Sequence, residues 1–349
     1  MFLGIWGLLL GTFFRDYGQL SIYYIPMNLL VTGGAGFIGS HFVLRHCEQY
    51  PDDKVVVIDA LTYAADKSFL DPVADKITFV KGDIVDQTLV EKLLKENSIG
   101  TVVNFAAETH VDNSITNASP FLRTNILGTQ SLIEACRQDN VRLLHISTDE
   151  VYGDIDDDDP PCTVGHTLWP SSPYAASKAS AEMLVFSAMR TYNLPACITR
   201  CTNNYGPHQA AEKFIPTVIR KALNDEPIPV YGEGKNKRDW LYVTDHTDAI
   251  EMILHTEWAF EDQPDEEGSG GHLFNISANN EKENIEVCKI ILDTLGRPHD
   301  LIEFVEDRPG HDWRYALDSS NTRELGWKPK VGFEEGLKKT VEWFENKAV

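Results

Sequence analysis

The chain predicts an α/β fold, a doubly wound parallel sheet carrying a smaller C-terminal lobe. Three observations point there. Short β-branched runs alternate with helical stretches from Met27 to about Arg200. Those runs are apolar on both faces, as in strands covered by helices on each side. A glycine-rich turn directly follows the first run and opens a helix. Right-handed crossovers between such strands make a Rossmann-type sheet.

The first 26 residues precede this pattern. Residues 1–14 are apolar, but no basic residue comes before them, they are short for a bilayer span, and no small-residue cleavage site follows. They read as an appended segment without a catalytic role, with a membrane anchor as the second reading. Strands are expected at 28–32, 54–59, 77–80, 101–105, 142–147 and 196–200, and helices at 39–50, 90–96, 121–139 and 175–192. Residues 27–200 would thus form the dinucleotide-binding domain. Beyond 200 the pattern loosens, with Pro and Gly punctuation and short helices at 212–223 and 284–296. Residues 201–349 read as mainly a substrate-binding lobe, either separate or interleaved with the first domain.

A formal net charge of −22 argues against a nucleic-acid binder, because phosphates would be repelled. Acidic runs at 156–159 and 261–267 read as solvated loops. An anionic substrate would therefore need the few Arg and Lys residues concentrated where it binds. The six cysteines show no CxxC spacing. They read as core residues of a protein in a reducing, cytoplasmic setting, and no metal site is suggested.

Gly33, Gly36 and Gly39 give a GxxGxxG spacing after the first strand. Gly33 allows a tight turn, Gly36 a close approach of backbone to pyrophosphate, and Gly39 close packing of helix on strand. The helix N-terminus then offers free N–H groups to the diphosphate. Asp59 ends the second strand, 20 residues after Gly39. A carboxylate there accepts from ribose hydroxyls and repels a 2′-phosphate, which favours NAD over NADP. Asp83 and Ile84 stand either against the adenine or in a simple turn.

Tyr174 and Lys178 form a YxxxK pair. On a helix they share a face, so the ammonium would lower the tyrosine pKa towards that of a general base. Ser147 and Thr148 end a central strand, where open α/β sheets bind ligands. Asp149 and Glu150 follow at once. Two adjacent carboxyl groups push their pKa values apart, leaving one base and one protonated acid, the pair an elimination requires.

The glycine turn, the Ser-Thr strand end and the Tyr-Lys pair together resemble the extended short-chain dehydrogenase/reductase family, from Met27 to the C-terminus. Within it, Thr148-Asp149-Glu150 is similar to the signature of the dTDP-glucose 4,6-dehydratases. Segments 106–112, 200–207, 212–214, 238–243 and 307–312 resemble further stretches of that group. The resemblance implies an NAD enzyme acting on dTDP-glucose, with Thr148, Asp149, Glu150, Tyr174 and Lys178 catalytic. It implies cofactor contacts from Phe37, Ile38, Ala106, Ala107, Thr109, Thr124, Ser147 and Asn203 as well as the residues above. It implies substrate contacts from Thr109, His110, Thr148, Asn204, Glu212, Lys213, Phe214, Arg238, Asn275, Arg308 and His311. It also implies a homodimer built on helices 121–139 and 175–192. Four positions depart from the pattern: Ala60, Asn113 and Trp313 stand where lysine, arginine and arginine are usual, and Thr109 where serine is. Rival readings are a UDP-glucose dehydratase, a UDP-sugar 4-epimerase and a non-catalytic NAD-binding regulator. The epimerase has little use for Asp149 and Glu150, and the regulator little use for the Tyr-Lys pair.

Overall fold

A computed structural model of the chain describes residues 26–258 and 272–347. The expectation for the first 26 residues, apart from Pro26, and that for the 261–267 run fall outside the described residues. In the first half the strands are β1 (Asn28–Thr32), β2 (Lys54–Asp59), β3 (Ile77–Lys81), β4 (Thr101–Asn104), β5 (Arg142–Thr148) and β6 (Ala196–Cys201). The helices there are α1 (Phe37–Gln49), α2 (Gln87–Asn97), α3 (Val111–Thr116), α4 (Ser119–Phe121), α5 (Thr129–Asp139) and α6 (Pro173–Tyr192). Each expected strand occurs within one residue of its expected ends.

The second half adds β7 (Asn203–Tyr205), β8 (Ile228–Tyr231), β9 (Lys237–Tyr242), β10 (Leu273–Ile276), β11 (Glu281–Glu283) and β12 (Ile302–Val305). Its helices are α7 (Phe214–Leu223), α8 (Val243–Leu254), α9 (Asn284–Leu295), α10 (Ser320–Glu324) and α11 (Phe333–Lys347). The main sheet runs β10-β6-β5-β4-β1-β2-β3, with every pairing parallel. Alternate residues of one strand feed different cores. Leu29, Val31, Val55 and Val57 pack with α1 and α8, while Leu30, Val56 and Ile58 pack with α2 and α5. This is why the strands read as continuous apolar runs.

The two halves are interleaved. Leu273 of β10 pairs with Ile198, so a strand from beyond residue 200 forms the sheet's edge. Helix α8 covers the face that α1 covers, supplying Ala249, Ile250, Ile253 and Leu254 to the core. Buried His46 of α1 joins them, bonded to Glu251 of α8 at 2.8 Å and to Asp53 at 2.9 Å. Burial alone would lower its pKa, but the two carboxylates raise it above the ordinary value. A third core, built from α7, α9, α11, β8 and β9, belongs to the second half alone.

The expected helix 121–139 is interrupted. Residues Leu122–Gly128 form a π-helical stretch between α4 and α5. Such bulges reposition side chains, often at functional sites. Here the stretch buries Asn125, which donates to Ser177 Oγ at 2.8 Å and to the Glu108 carbonyl at 3.0 Å. The 156–159 run is exposed, as expected, but it is anchored. Arg314 donates to the carbonyls of Asp156 (3.0 Å) and Asp159 (2.9 Å) while pairing with Glu281.

Arg200 of β6 is 2% exposed and meets Glu182 of α6 at 2.6 Å. Its guanidinium also donates to the Tyr152 hydroxyl at 2.6 Å, which donates in turn to Asn275 Oδ1 at 2.9 Å. This chain of bonds joins β6, α6, the turn after β5, and β10. Removing one member of a buried ion pair strands the other charge, at a cost of about 3–5 kcal/mol. Glu182→Ala should therefore lower the unfolding free energy by about that amount in denaturant titration. A loss below about 1 kcal/mol would show that Arg200 finds other compensation.

Candidate active site

The sheet order reverses beside β1: the chain proceeds outward through β2 and β3, then returns to β4 on the other side. Ligands of open α/β sheets bind at such a switch point, beyond the strands' carboxyl ends. A cavity of about 630 Å³ opens there. Every residue expected to meet cofactor lines it: Gly33, Gly36, Phe37, Ile38, Gly39, Asp59, Asp83, Ile84, Ala106, Ala107, Thr109, Thr124, Ser147, Tyr174, Lys178 and Asn203.

Geometry demands glycine at two positions of the turn. Gly33 has φ +66°, and a Cβ on Gly39 would lie 2.3 Å from the Gly33 carbonyl oxygen. The turn delivers Gly36 as the N-cap of α1 with no side-chain cap, so the first N–H groups stay available for an anion. Asp59 accepts from the Ala35 N–H at 2.9 Å and the Leu61 N–H at 2.8 Å, which fixes its carboxylate at the cavity wall. Burial raises its pKa and the two N–H donors oppose that rise. Buried Ser147 Oγ and Asn203 Oδ1 have no partner among the described residues. A narrow glycine cradle, a fixed carboxylate and polar atoms in need of partners fit a dinucleotide.

At the end of β5 the chain turns into a 3₁₀ segment, Asp149–Tyr152, which Thr148 caps by accepting from the Glu150 N–H at 3.3 Å. Thr148 also donates to Asp149 Oδ1 at 3.1 Å, while the buried Oδ2 has no hydrogen-bond partner among the described residues. Burial, then the neighbouring Glu150 charge, holds the Asp149 carboxyl well above the usual range. Burial also raises Glu150, but Lys213, Arg238 and Arg308 face it and oppose the shift. The Asp149 carboxyl is thereby pushed further from ionisation than its neighbour.

Ser172 caps α6 by accepting from the Ala175 N–H at 3.1 Å, with Pro173 in the first turn. Tyr174 and Lys178 share the helix face that meets the cavity. The electrostatics differ from expectation, however. Lys178 donates to the Ile146 carbonyl at 2.6 Å, and burial lowers its pKa to about 8. Tyr174 is not lowered: burial, then the Glu150 carboxylate, pushes its pKa well above the ordinary value, and a bond to Thr148 opposes the rise. The spacing brings the pair to one face, but it could not reveal that two carboxyl groups lie closer to the phenol's balance than the ammonium does.

On the substrate side, Thr109, Thr148, Asn204 and Lys213 line the cavity. Lys213 donates to the Thr109 carbonyl at 2.8 Å, joining the two halves of the chain. His110, Glu212, Phe214, Arg238, Asn275, Arg308 and His311 are not part of its lining. Arg238 and Arg308 nevertheless act on Glu150. Arg238 is buried over the Tyr315 ring and donates to the Asp312 carbonyl at 2.8 Å. His110 caps α3, accepting from the Asn113 N–H at 3.3 Å, and Phe214 stacks on Trp240.

Asn275 needs correction. It is fully buried on β10 and already bonded to Tyr152 and to the carbonyls of Cys162 and Asp318. It serves the Arg200 network, a role invisible without the strand pairing. Trp313, in a position where arginine is usual, donates through Nε1 to Asp157 at 3.1 Å. The sequence reading also missed Arg123, which lines the cavity and pairs with Asp83 at 2.5 Å. It sits in the π-helical stretch, whose bulge hides its facing from any 3.6-residue pattern.

Comparison with known proteins agrees with this geometry. The chain is 47% identical over 323 residues to a dTDP-glucose 4,6-dehydratase of Mycobacterium tuberculosis, covering 92% of this chain and 94% of that protein. It resembles the crystal structure of a dTDP-glucose 4,6-dehydratase of Streptomyces venezuelae with NAD bound, at 43% identity and a TM-score of 0.85, over 92% of this chain and 97% of that one. It also resembles, at 29% identity and a TM-score of 0.82, a UDP-glucose 4-epimerase of Thermus thermophilus in complex with NAD, over 91% of this chain and 99% of that one. The backbone alone therefore does not separate elimination from epimerisation, and the carboxyl pair after Thr148 has to. A family model described as GDP-mannose 4,6 dehydratase matches residues 30–340, so the chain belongs to the GDP-mannose 4,6 dehydratase family.

Proposed function

We propose that the protein converts dTDP-glucose to dTDP-4-keto-6-deoxyglucose, a 4,6-dehydration with NAD as its resident cofactor. The observation that carries this reading is the Asp149–Glu150 pair beside Tyr174, two carboxyl groups of unequal acidity on one cavity wall. The similarity to dehydratases that act on dTDP-glucose supports it.

Gly33, Gly36, Gly39 and Asp59 would hold NAD, with Asp59 discriminating against a 2′-phosphate. When bound, NAD supplies the acceptor for the hydride of sugar C4 and returns it to C6. Tyr174 takes the proton of the C4 hydroxyl, and Thr148 orients that hydroxyl. The raised phenol pKa makes this the demanding proton transfer, which the Lys178 ammonium and the cations facing Glu150 assist. The 4-ketone acidifies the C5 hydrogen, which Glu150 removes; Glu150 then gives a proton back to C5 as the hydride reaches C6. Asp149, held neutral, gives its proton to the C6 hydroxyl as it leaves as water. Lys213, Arg238 and Arg308 would gather the diphosphate, concentrating positive charge in an acidic chain.

We place 27–200 mainly in the service of NAD and 201–349 mainly in that of the nucleotide sugar. Exposed Leu122, Leu127 and Met183 on the helices around α5 and α6 support a homodimer through that face. Six free, buried cysteines are consistent with a reducing, cytoplasmic setting. Among the described residues, no helix is long and apolar enough to cross a membrane.

Glu150→Gln should reduce product formation by about 10²–10⁴-fold, the usual contribution of a positioned base. Incorporation of solvent deuterium at C5 should fall in step. Normal turnover by that variant would move the carbon-acid role elsewhere.

The acidic limb of the pH–rate profile should lie above the ordinary glutamate range, because Glu150 must ionise and its pKa is raised. Lys213 lowers that pKa, so Lys213→Met should move the limb to still higher pH. A limb that stays in place would show that another group sets it.

With dTDP-glucose deuterated at C4, the label should appear in the 6-methyl group of the same sugar molecule. UDP- and CDP-glucose run alongside would test the choice of base. Deuterium returned to C4, with C6 still oxygenated, would reveal an epimerase instead.

A further inference from the structure

The substrate side of the site is crossed by one acidic side chain from the first half of the chain. Asp112 stands in the first turn of α3, three residues beyond Thr109 of the cavity wall. Its Oδ1 lies 3.6 Å from Arg308 Nε, and its Oδ2 accepts from the Tyr231 hydroxyl at 3.3 Å. One carboxylate thus holds two residues contributed by the other half, one on β8 and one in the loop after β12. Lys213 also feels its charge.

Arg308 acts on Glu150 across the site, and the other groups facing it are few among the described residues. Asp307 accepts from the Arg308 backbone N–H at 2.8 Å and bonds His311 Nδ1 at 2.6 Å, so its carboxylate is largely committed to the loop itself. The His311 ring lies edge-on to Tyr231 at 5.8 Å. Arg308 Nη1 reaches the Gly310 carbonyl at only 3.5 Å. Its side chain is 16% exposed and that of Asp112 is 44% exposed. A guanidinium this far withdrawn from water needs a counter-ion. Asp112 supplies one through a long, single contact on a half-exposed carboxylate, the kind of pair worth little in water. A diphosphate carries more charge and accepts two parallel N–H bonds, so it would win the guanidinium.

We propose that Asp112 is an internal counter-anion of Arg308, a gate that the diphosphate of the nucleotide sugar displaces as it binds. This rests on the reading of Arg308 as a diphosphate ligand. The consequence is electrostatic. In a chain of net charge −22, the diphosphate replaces one negative charge at Arg308 instead of meeting an unguarded cation. Displacing Asp112 also frees Tyr231, so binding and movement of the β8 edge are coupled.

The test is a double-mutant cycle in which dTDP is titrated calorimetrically into the NAD-loaded protein at low salt. Asp112→Asn should bind dTDP about two- to fivefold more tightly than the unaltered protein, the range expected from relieving one exposed ion pair. The gain should shrink at high salt, and it should vanish when combined with Arg308→Ala. Asp112→Glu keeps the charge and should show no gain. Equal or weaker binding by Asp112→Asn, while Arg308→Ala still loses affinity, would overturn the gate and leave the diphosphate reading intact. Unchanged affinity in Arg308→Ala would overturn both.

Discussion

Everything in the site depends on how closely two backbones meet at the switch point. A Cβ on Gly33 would lie 2.7 Å from the Ala106 nitrogen and 2.9 Å from the Phe105 carbonyl carbon. Strands β1 and β4 are therefore drawn together at their carboxyl ends, with no side chain between them. That contact sets the angle at which α1 leaves the sheet, and so where its free N–H groups point. It also carries the segment after Ala106 along the cavity wall, placing Glu108, Thr109 and then α3 where the second half of the chain can reach them. Lys213 bonded to Thr109, and Asp112 bonded to Arg308 and Tyr231, are the results.

A second constraint is charge. Asp149 is buried and Glu150 half-buried in a chain that is already strongly acidic, which favours their neutral forms. Cations arrive from three separate places in the second half, Lys213, Arg238 and Arg308, and all act on Glu150 rather than equally on both acids. Asp149 is raised because burial and Glu150 both oppose its ionisation. Unequal partners, more than unequal burial, divide an acid from a base here. Tyr174 is raised first by its burial and then by the Glu150 charge.

Much of this was legible in the residues. The glycine spacing, the Asp59 offset and the Thr148-Asp149-Glu150 run are local features, and each line of chemistry they suggest needs only a strand followed by a turn. The strands themselves were readable because both their faces are buried, leaving an unbroken apolar signal. What escaped was either short or borrowed from afar. β10 is four residues long, too few to show a period, and its place at the sheet edge is known only from its pairing with β6. The π-helical stretch at Leu122–Gly128 breaks the 3.6-residue rhythm on which facing is judged, and Arg123 was missed with it.

The sequence by itself determined the doubly wound sheet, the site at its carboxyl edge and the chemical types gathered there. Those follow from patterns of period two and 3.6 and from residues adjacent along the chain. Only the tertiary structure decided how those groups titrate and which of them are free to act. Asn275 looked available for substrate and is consumed by the Arg200 network, and Tyr174 looked lowered by Lys178 and is instead raised by burial and by Glu150. The reason is physical: burial and Coulombic coupling depend on distances between residues far apart in sequence, and those distances exist only once β6, β10, α6 and the C-terminal loops have packed together.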